Sequence, residues 1–339
     1  MNKMRFVMLA VLSMLAIAAQ AQFTFSVTAP PEGGFIGLQT DVKFLITNAN
    51  EEVTVRVTAE GPEGETVTER TFEPDRDDEI LDKVTLNFNS SSPEGPYTLT
   101  IEAFDSQHTA TPIVRNVTLD ARAPRILESN PLSGGAVKGP IIPITVKLEE
   151  ANIKLWKVQI DDTDIPNNSG STLDGNNSFQ VDWNVGATPG DGNHTIEITV
   201  EDKGGNKATR NISIRVDQTP PSISIAFPRS DSPIRANSDF SVIVDITDPN
   251  AGLIDVTGLD VIIRRMDGTF LYRVPRIKFS PTGQGAYRWT GRVRRRSVSL
   301  PSEFKIVVAG VDRAGNLAVS QEVVINTNRG RGRNSRGGR

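Results

Sequence analysis

Three segments of the chain repeat the same alternation of apolar and polar residues, and this repeat constrains the fold more than any other feature. The segments are YTLTIEAFD (97–105), HTIEITVED (194–202) and FKIVVAGVD (304–312). Alternation with a period of two is typical of a β-strand with one buried face. Each segment ends in aspartate, and these three aspartates lie 97 and 110 positions apart. The spacing predicts a β-sandwich domain of ~100 residues that occurs three times.

Every second side chain of these segments is predicted to point into a core. The inward positions are Tyr97, Leu99, Ile101 and Ala103, then His194, Ile196, Ile198 and Val200, then Phe304, Ile306, Val308 and Gly310. The chain has no cysteine, so disulfides cannot link the sheets. The missing thiols also exclude a cysteine nucleophile and cysteine-ligated zinc. We therefore expect apolar packing alone to hold each sandwich.

The remaining strands and turns recur in the same order, and this order sets the domain boundaries. We predict an all-β chain of three tandem sandwiches, each with about seven strands. The predicted domains are 22–121, 122–218 and 219–327, followed by a Gly/Arg-rich tail at 328–339 whose composition indicates disorder. Both junctions contain proline, which restricts the backbone, so we expect fairly stiff linkers.

The first 21 residues have the layout of a secretory signal peptide. Lys3 and Arg5 precede an apolar run from Phe6 to Ala19, and Ala19-Gln20-Ala21 then fits a cleavage site. The alternative is an uncleaved membrane anchor, but the run is shorter than the ~20 residues that a spanning helix needs. We predict cleavage before Gln22, Sec-type export, and a mature chain without a transmembrane span. Its location would be extracellular, on the cell surface or periplasmic.

Two long segments resemble a known family. DGNHTIEITVEDKGGNKATRNISIRVDQTPP (191–221) resembles the closing half of a bacterial immunoglobulin-like domain, and VAGVDRAGNLAVSQEVVI (308–325) is similar to it. The first repeat departs from the pattern, because SQHTA follows Asp105 where the others have an Asp-x-x-Gly-Asn turn. The resemblance implies three immunoglobulin-like sandwiches in an exported surface or adhesion protein, or in a spacer beside another module.

The two histidines are weighed as catalytic candidates. His194 aligns with Tyr97 and Phe304, in a slot that resembles the tyrosine corner of immunoglobulin-like domains, so a packing role is favoured. His108 lies in a predicted loop. No serine-nucleophile motif, zinc-protease motif or phosphate-binding glycine loop occurs in the sequence. We predict a protein that is not an enzyme and that uses no cofactor.

Calcium is a minority hypothesis for the acidic turns. The Asp-x-x-Gly-Asn segments at 202–206 and 312–316 fit a hairpin turn better than a calcium loop, which needs more carboxylates. Denser acidic segments give five candidate ligands: Asp161, Asp162, Asp164, Asp245 and Asp248. Unfolding with and without a chelator tests this idea, and an unchanged midpoint would refute it.

Tryptophan placement bears on carbohydrate binding. A carbohydrate-binding module needs exposed aromatic rings that stack on sugars. Trp183 and Trp289 fall on matching strands at inward positions, and Trp156 resembles the core tryptophan of immunoglobulin-like domains. All three are therefore predicted to lie in cores, and this weakens the carbohydrate-binding interpretation.

Charge is distributed unevenly along the chain. The formal net charge of −4 combines +2 for the predicted signal peptide, −12 for residues 23–121, −3 for 122–218, +4 for 219–327 and +5 for the tail. Two basic groups are candidates for surface binding. They are Arg288, Arg292, Arg294, Arg295 and Arg296 near one strand, and Arg329, Arg331, Arg333, Arg336 and Arg339 in the tail.

These charges suggest several partners. The leading hypothesis is a structural or adhesion protein that attaches through its basic C-terminal end to an anionic polysaccharide or envelope surface. Self-association of the acidic first domain with the basic third domain is the other electrostatic possibility. Alternatives are a carbohydrate- or envelope-binding module and an accessory subunit of a secreted enzyme complex. Arg-Gly tracts bind nucleic acid inside cells, and the predicted export argues against that partner here.

Overall fold

The computed structural model describes residues 23–187, 190–231, 233–235, 237–248 and 259–328. The predicted signal peptide and all five tail arginines lie outside this part of the chain. The described residues form β-strands joined by turns, with two short 3-10 segments at Val185–Ala187 and Arg295–Ser297. No helix within them has the length and apolar character to cross a membrane. The all-β prediction is confirmed.

The first sandwich encloses a core between two sheets. Its strands are β1 (Thr24–Ala29), β2 (Phe35–Ile36), β3 (Gln39–Thr47), β4 (Val53–Gly61), β5 (Gly64–Phe72), β6 (Glu79–Asn87), β7 (Gly95–Phe104) and β8 (Ile113–Leu119). One sheet has the order β1-β3-β6 and the other β2-β8-β7-β4-β5. Alternate residues of β4 and β7 point inward, and Phe44 packs edge-on against Phe72 across the core at 5.1 Å between ring centroids.

The second sandwich repeats this arrangement. Its strands are β9 (Arg125–Asn130), β10 (Ala136–Val137), β11 (Ile141–Glu149), β12 (Ile153–Ile160), β13 (Thr163–Gly170), β14 (Ser178–Asn184), β15 (Gly192–Asp202) and β16 (Lys207–Val216). The sheets have the orders β14-β11-β9 and β10-β16-β15-β12-β13. Trp156 stacks on Phe179 with 4.2 Å between ring centroids, and Trp183 is fully buried.

The third sandwich has the same two-sheet plan. Its strands are β17 (Ser222–Phe227), β18 (Ile234–Arg235), β19 (Phe240–Thr247), β20 (Asp260–Arg264), β21 (Phe270–Arg273), β22 (Arg276–Gly283), β23 (Ala286–Val293), β24 (Glu303–Val311), β25 (Leu317–Val319) and β26 (Val323–Asn328). The sheets have the orders β17-β19-β23-β22 and β18-β26-β24-β20-β21, with β25 also paired to β24. Trp289 and Phe304 lie in its core.

The chain divides into two units by spatial proximity. The first unit runs to Ala123 and includes the turn Asp202–Asn206, and the second holds Pro124–Glu201 and the chain from Lys207 onward. Each of the three sandwiches has its own hydrophobic core. The three domain boundaries expected from sequence stay a prediction.

The strand stripes predicted from the repeat are confirmed, since all twelve inward positions are buried. The segment after the Asp-x-x-Gly-Asn turn of the third sandwich does not form one continuous strand. It is split into β25 and β26 around Ser320. The Ser320 hydroxyl accepts a hydrogen bond from the Val308 amide at 2.9 Å and donates one to the Gln321 carbonyl at 3.0 Å. A side chain thus replaces a backbone partner there and interrupts the strand.

Candidate functional site

His194 occupies a tyrosine-corner position, as the alignment with Tyr97 predicts. The Tyr97 hydroxyl donates to the carbonyl of Pro93, four residues back, at 3.1 Å. His194 Nε2 lies 3.0 Å from the carbonyl of Gly190, also four residues back, and its ring packs edge-on against Trp183. The ring is buried. The packing role predicted for His194 is confirmed.

His194 also contacts a carboxylate through its second ring nitrogen. Its Nδ1 lies 2.7 Å from Asp161 Oδ2, and the Thr195 amide donates to Asp161 Oδ1 at 2.8 Å. Burial pushes the pKa of Asp161 upward, but these hydrogen bonds outweigh it and hold the pKa below its usual value. A carboxylate and a carbonyl can only accept, so each ring nitrogen of His194 lies against a hydrogen-bond acceptor. Neighbouring oxygen atoms thus contact both ring nitrogens of His194.

The Asp-x-x-Gly-Asn turns bind the chain segment that precedes each predicted linker. In the second unit, Asn316 Nδ2 donates to Asp312 Oδ2 and to the Asp217 carbonyl, both at 2.8 Å. In the first unit, Asn206 Nδ2 donates in the same way to Asp202 Oδ2 at 2.9 Å and to the Asp120 carbonyl at 2.8 Å. The hairpin-turn interpretation of these segments is confirmed.

The first repeat lacks this asparagine and closes its turn differently. Asp105 Oδ1 accepts hydrogen bonds from the amides of Gln107 and His108 at 2.7 and 2.5 Å. His108 Nδ1 lies 3.3 Å from Asp105 Oδ2. His108 therefore supports a turn and lies in a loop, as expected.

Three buried carboxylates of the second unit converge. Asp217, Asp248 and Asp312 each place a carboxylate oxygen within 4.8 Å of the others, and each residue is at most 3% exposed. Carboxylate oxygens are the ligands that calcium prefers. This is the group of described residues best able to hold a hard cation. The sequence analysis named Asp248 but assigned Asp312 only to a turn, because the topology that joins them is not visible in sequence.

The other four calcium candidates lie elsewhere and have other contacts. Asp161 binds His194, and Asp164 accepts from Lys157 Nζ at 2.8 Å. Asp245 accepts two hydrogen bonds from Arg288, at 2.6 and 2.9 Å, and these lower its pKa despite partial burial. Asp162 forms the β12–β13 turn with φ of 60°. Among the described residues these four form no three-membered group with converging oxygens, and of the five predicted ligands only Asp248 belongs to the converging group. Calcium binding stays a prediction.

The predicted basic surface on β23 is partly neutralised. Arg288 is held by Asp245, and Arg292 lies 3.4 Å from Asp239 Oδ2. Arg295 is half-buried and donates to Asn237 Oδ1, at the wall of a 280 Å³ pocket. Arg294 and Arg296 are exposed and form no ion pair with any described residue. Only these two arginines of the predicted strand group present freely exposed charge.

A second basic cluster lies on the strand edges of the third sandwich, and the sequence analysis missed it. It comprises Arg264, Arg265, Arg273, Arg276 and Lys278 on and beside β20, β21 and β22. Exposed apolar side chains accompany it: Met266 at 44%, Phe270 at 65% and Ile277 at 62% exposure. In the sequence, this cluster is visible as five basic residues and only one acidic residue between positions 264 and 278. It was overlooked because these cations are divided between two sheets and do not share one strand.

The tryptophans lie in cores, as predicted. Trp156, Trp183 and Trp289 are all at most 8% exposed. The exposed aromatic residues are phenylalanines, with Phe270 the most exposed. The described residues thus present no tryptophan surface on which a sugar could stack.

Comparison with known proteins agrees with the family resemblance. Residues 177–323 match the family model described as "Bacterial Ig-like domain (group 3)". No curated protein matches the chain.

Several solved structures match the chain at low sequence identity and with TM-scores below 0.5. Fibronectin(III)-like modules of Clostridium thermocellum CbhA are 13% identical, with a TM-score of 0.37 and coverage of 64% of this chain and 100% of theirs. A tetra-tandem repeat from the extending region of a large adhesion protein is 17% identical, with a TM-score of 0.30 and coverage of 90% and 74%. A 1.5-MDa bacterial ice-binding adhesin is 14% identical, with a TM-score of 0.32 and coverage of 91% and 98%.

Proposed function

Because this chain carries bacterial Ig-like sandwiches in tandem, we propose that it is an exported, non-enzymatic structural or adhesion protein. Its sandwiches act as spacers, and its basic C-terminal end attaches to an anionic polysaccharide or envelope surface. The observation that carries this proposal is the separation of charge, from −12 over residues 23–121 to +4 over 219–327 and +5 in the tail.

The contacts of the histidines support the absence of catalysis. A general base needs a nitrogen that can reach and accept a substrate proton. His194 is buried between Asp161, Gly190 and Trp183, and His108 lies against Asp105 in a turn. Both histidines thus contribute to the structure of their corners and turns.

The cations available for attachment are those that the fold does not neutralise. On the third sandwich these include Arg294 and Arg296, together with the exposed side chains of Arg265, Arg276 and Lys278. A polyanion that binds such cations releases its counterions, so affinity falls steeply as salt rises. Exposed cations on one sandwich therefore favour a charged surface over a neutral ligand.

Binding of the mature chain to beads that carry sulfated dextran, with neutral dextran beads alongside, tests the proposal. We expect retention on the sulfated beads that weakens as sodium chloride rises. The double variant Arg294→Glu/Arg296→Glu should bind at least several-fold more weakly. A matched control, Lys147→Glu/Arg313→Glu, changes the net charge equally at two exposed positions elsewhere and should bind normally. Equal retention on both bead types, or retention insensitive to salt, would contradict electrostatic attachment.

A further inference from the structure

The first sandwich ends on an acidic strand edge. Strand β5 is the last strand of its sheet and pairs with β4. Residues 60–73, here called the acidic edge, contain five glutamates and one arginine, for a net charge of −4. Glu69 is paired with Arg56 at 2.7 Å. Glu60, Glu63, Glu65 and Glu73 are exposed and form no ion pair within 4 Å in the described chain.

The third sandwich ends on a basic strand edge. Strand β21 is the last strand of one sheet and β22 is the last strand of the other. Residues 264–278, here called the basic edge, carry five cations and one aspartate, for a net charge of +4. Arg273 is paired with Asp260 at 2.6 Å. Arg276 and Lys278 are exposed, and the ion pairs of the described chain do not include them.

Both edges also expose apolar side chains. Val67 on the acidic edge is 49% exposed, and Phe270 and Ile277 on the basic edge are 65% and 62% exposed. An outermost strand presents unpaired N–H and C=O groups to any extended chain that reaches it. Each edge thus combines free backbone groups, apolar side chains and charge of a single dominant sign.

We infer that the acidic edge of one molecule pairs with the basic edge of a second copy of this chain, through addition of strand β5 to strand β21. Acidic edges repel each other, as do basic edges, so pairing of like edges is disfavoured. Opposite charges placed across neighbouring strands each stabilise pairing by about 0.2–1 kcal/mol. Val67 and Phe270 would then leave water together.

This contact joins two different surfaces of the same chain. Each molecule keeps one unoccupied edge of each kind, so the contact is of the head-to-tail type that builds rings or filaments. Assembly therefore increases with protein concentration and decreases with salt. The inference rests on the proposed function in that it assigns a specific partner to the basic third sandwich.

Two edge variants of the mature chain test the pairing. In the first, Glu63→Lys/Glu65→Lys brings the net charge of the acidic edge from −4 to 0; in the second, Arg276→Glu/Lys278→Glu brings that of the basic edge from +4 to 0. All four side chains are exposed, so the fold should persist, and circular dichroism with thermal unfolding checks this. The control Lys147→Glu/Arg313→Glu matches the second variant in net charge. Sedimentation velocity at low and high salt, over a range of concentrations, reports assembly.

We expect the wild type and the control to form larger species at low salt and to be monomeric at high salt. Each edge variant alone should weaken association about tenfold or more. An equimolar mixture of the two variants should associate again, because the intact basic edge of the first variant then meets the intact acidic edge of the second. The neutral variant Phe270→Ser should weaken association without any change in charge.

The outcomes separate this inference from the proposed function. A wild-type monomer at low salt and high concentration, or a mixture that stays monomeric, would refute edge pairing. Association of the edge variants equal to that of the wild type would also refute it. Retention on sulfated beads is measured on the same variants, and salt-sensitive retention by a chain that does not self-associate would leave the proposed function standing alone.

Discussion

At position 194 a histidine takes the corner position that tyrosine occupies in the first sandwich. Both side chains reach a carbonyl four residues back, so the corner requires a flat ring with a hydrogen-bond donor at its tip. The histidine adds a second ring nitrogen, Nδ1, which lies 2.7 Å from Asp161 Oδ2 in the β12–β13 turn.

Replacing His194 with phenylalanine tests this role. We expect His194→Phe to lower the free energy of unfolding by about 1–3 kcal/mol, because the carbonyl of Gly190 and the carboxylate of Asp161 each lose a donor. Urea denaturation of the mature chain measures it. His108→Phe serves as the control, since its ring is 29% exposed, and its loss should be smaller. Equal effects of the two substitutions would contradict the corner assignment.

Asp161 makes stability depend on pH in a defined direction. Its pKa is lowered in the folded chain despite burial, through hydrogen bonds from Thr195 and His194. The stability it adds is thus complete above the unfolded pKa of about 3.9 and is lost as pH falls through the lower folded value. We expect Asp161→Asn to be less stable than the wild type at pH 6 and the difference to shrink toward pH 2. Urea midpoints of both proteins, measured across this pH range, test the prediction. A stability difference that stays constant with pH would refute the link between Asp161 protonation and stability.

Asn316 binds the turn of the third sandwich to the backbone at Asp217. Asn316→Ala should cost about 1–3 kcal/mol, because it removes donors from a buried carboxylate and a carbonyl. The matched change Asn206→Ala should cost a similar amount, since Asn206 makes the same two contacts. Urea unfolding measures the loss of stability in both variants. If neither loss exceeds the error of the method, the asparagines serve only to form the turn.

At the scale of the element, a glycine on one strand leaves room for an aromatic ring on its neighbour. Gly170 on β13 lies opposite Trp156 on β12, and a Cβ built there would meet the ring at 2.5 Å. The indole also donates to the Thr172 carbonyl at 3.0 Å, so it is held on both sides. The ring therefore leaves no room for a side chain at position 170.

We expect Gly170→Ala to destabilise the chain by about 1–3 kcal/mol, because the ring must shift in a packed core. Gly175→Ala is the matched control, since nothing lies within 4 Å of its added Cβ. The thermal midpoint should fall for the first variant and hold or rise slightly for the second. Equal thermal midpoints would show that the Trp156 ring can shift without loss of stability.

At the scale of the whole molecule, charge is what distinguishes three sandwiches with similar cores. The acidic residues concentrate in the first and the basic residues in the third and the tail, while the total stays near neutral. Attachment and self-association are therefore properties of the complete chain rather than of one sandwich.

Removal of residues 328–339 tests how far the tail contributes to attachment. These residues carry five arginines and no acid, so we expect the shortened chain to elute from sulfated dextran at lower salt than the mature full-length chain. Fractionation of the source cells should show weaker surface retention of the same variant. Unchanged elution and retention would confine attachment to the third sandwich.

The amino-acid pattern alone determined the number of sandwiches, the buried stripes on β7, β15 and β24, and the turns with Gly205 and Gly315. These features are local, because the period of a strand and the backbone freedom of glycine act over a few residues. Tertiary structure decided what depends on distant partners: the neutralisation of Arg288, the meeting of Asp217, Asp248 and Asp312, and the placement of Arg273 and Arg276 on the outermost strands of two sheets. Coulomb attraction and desolvation depend on distances in space, which sheet topology sets and spacing along the chain does not reveal.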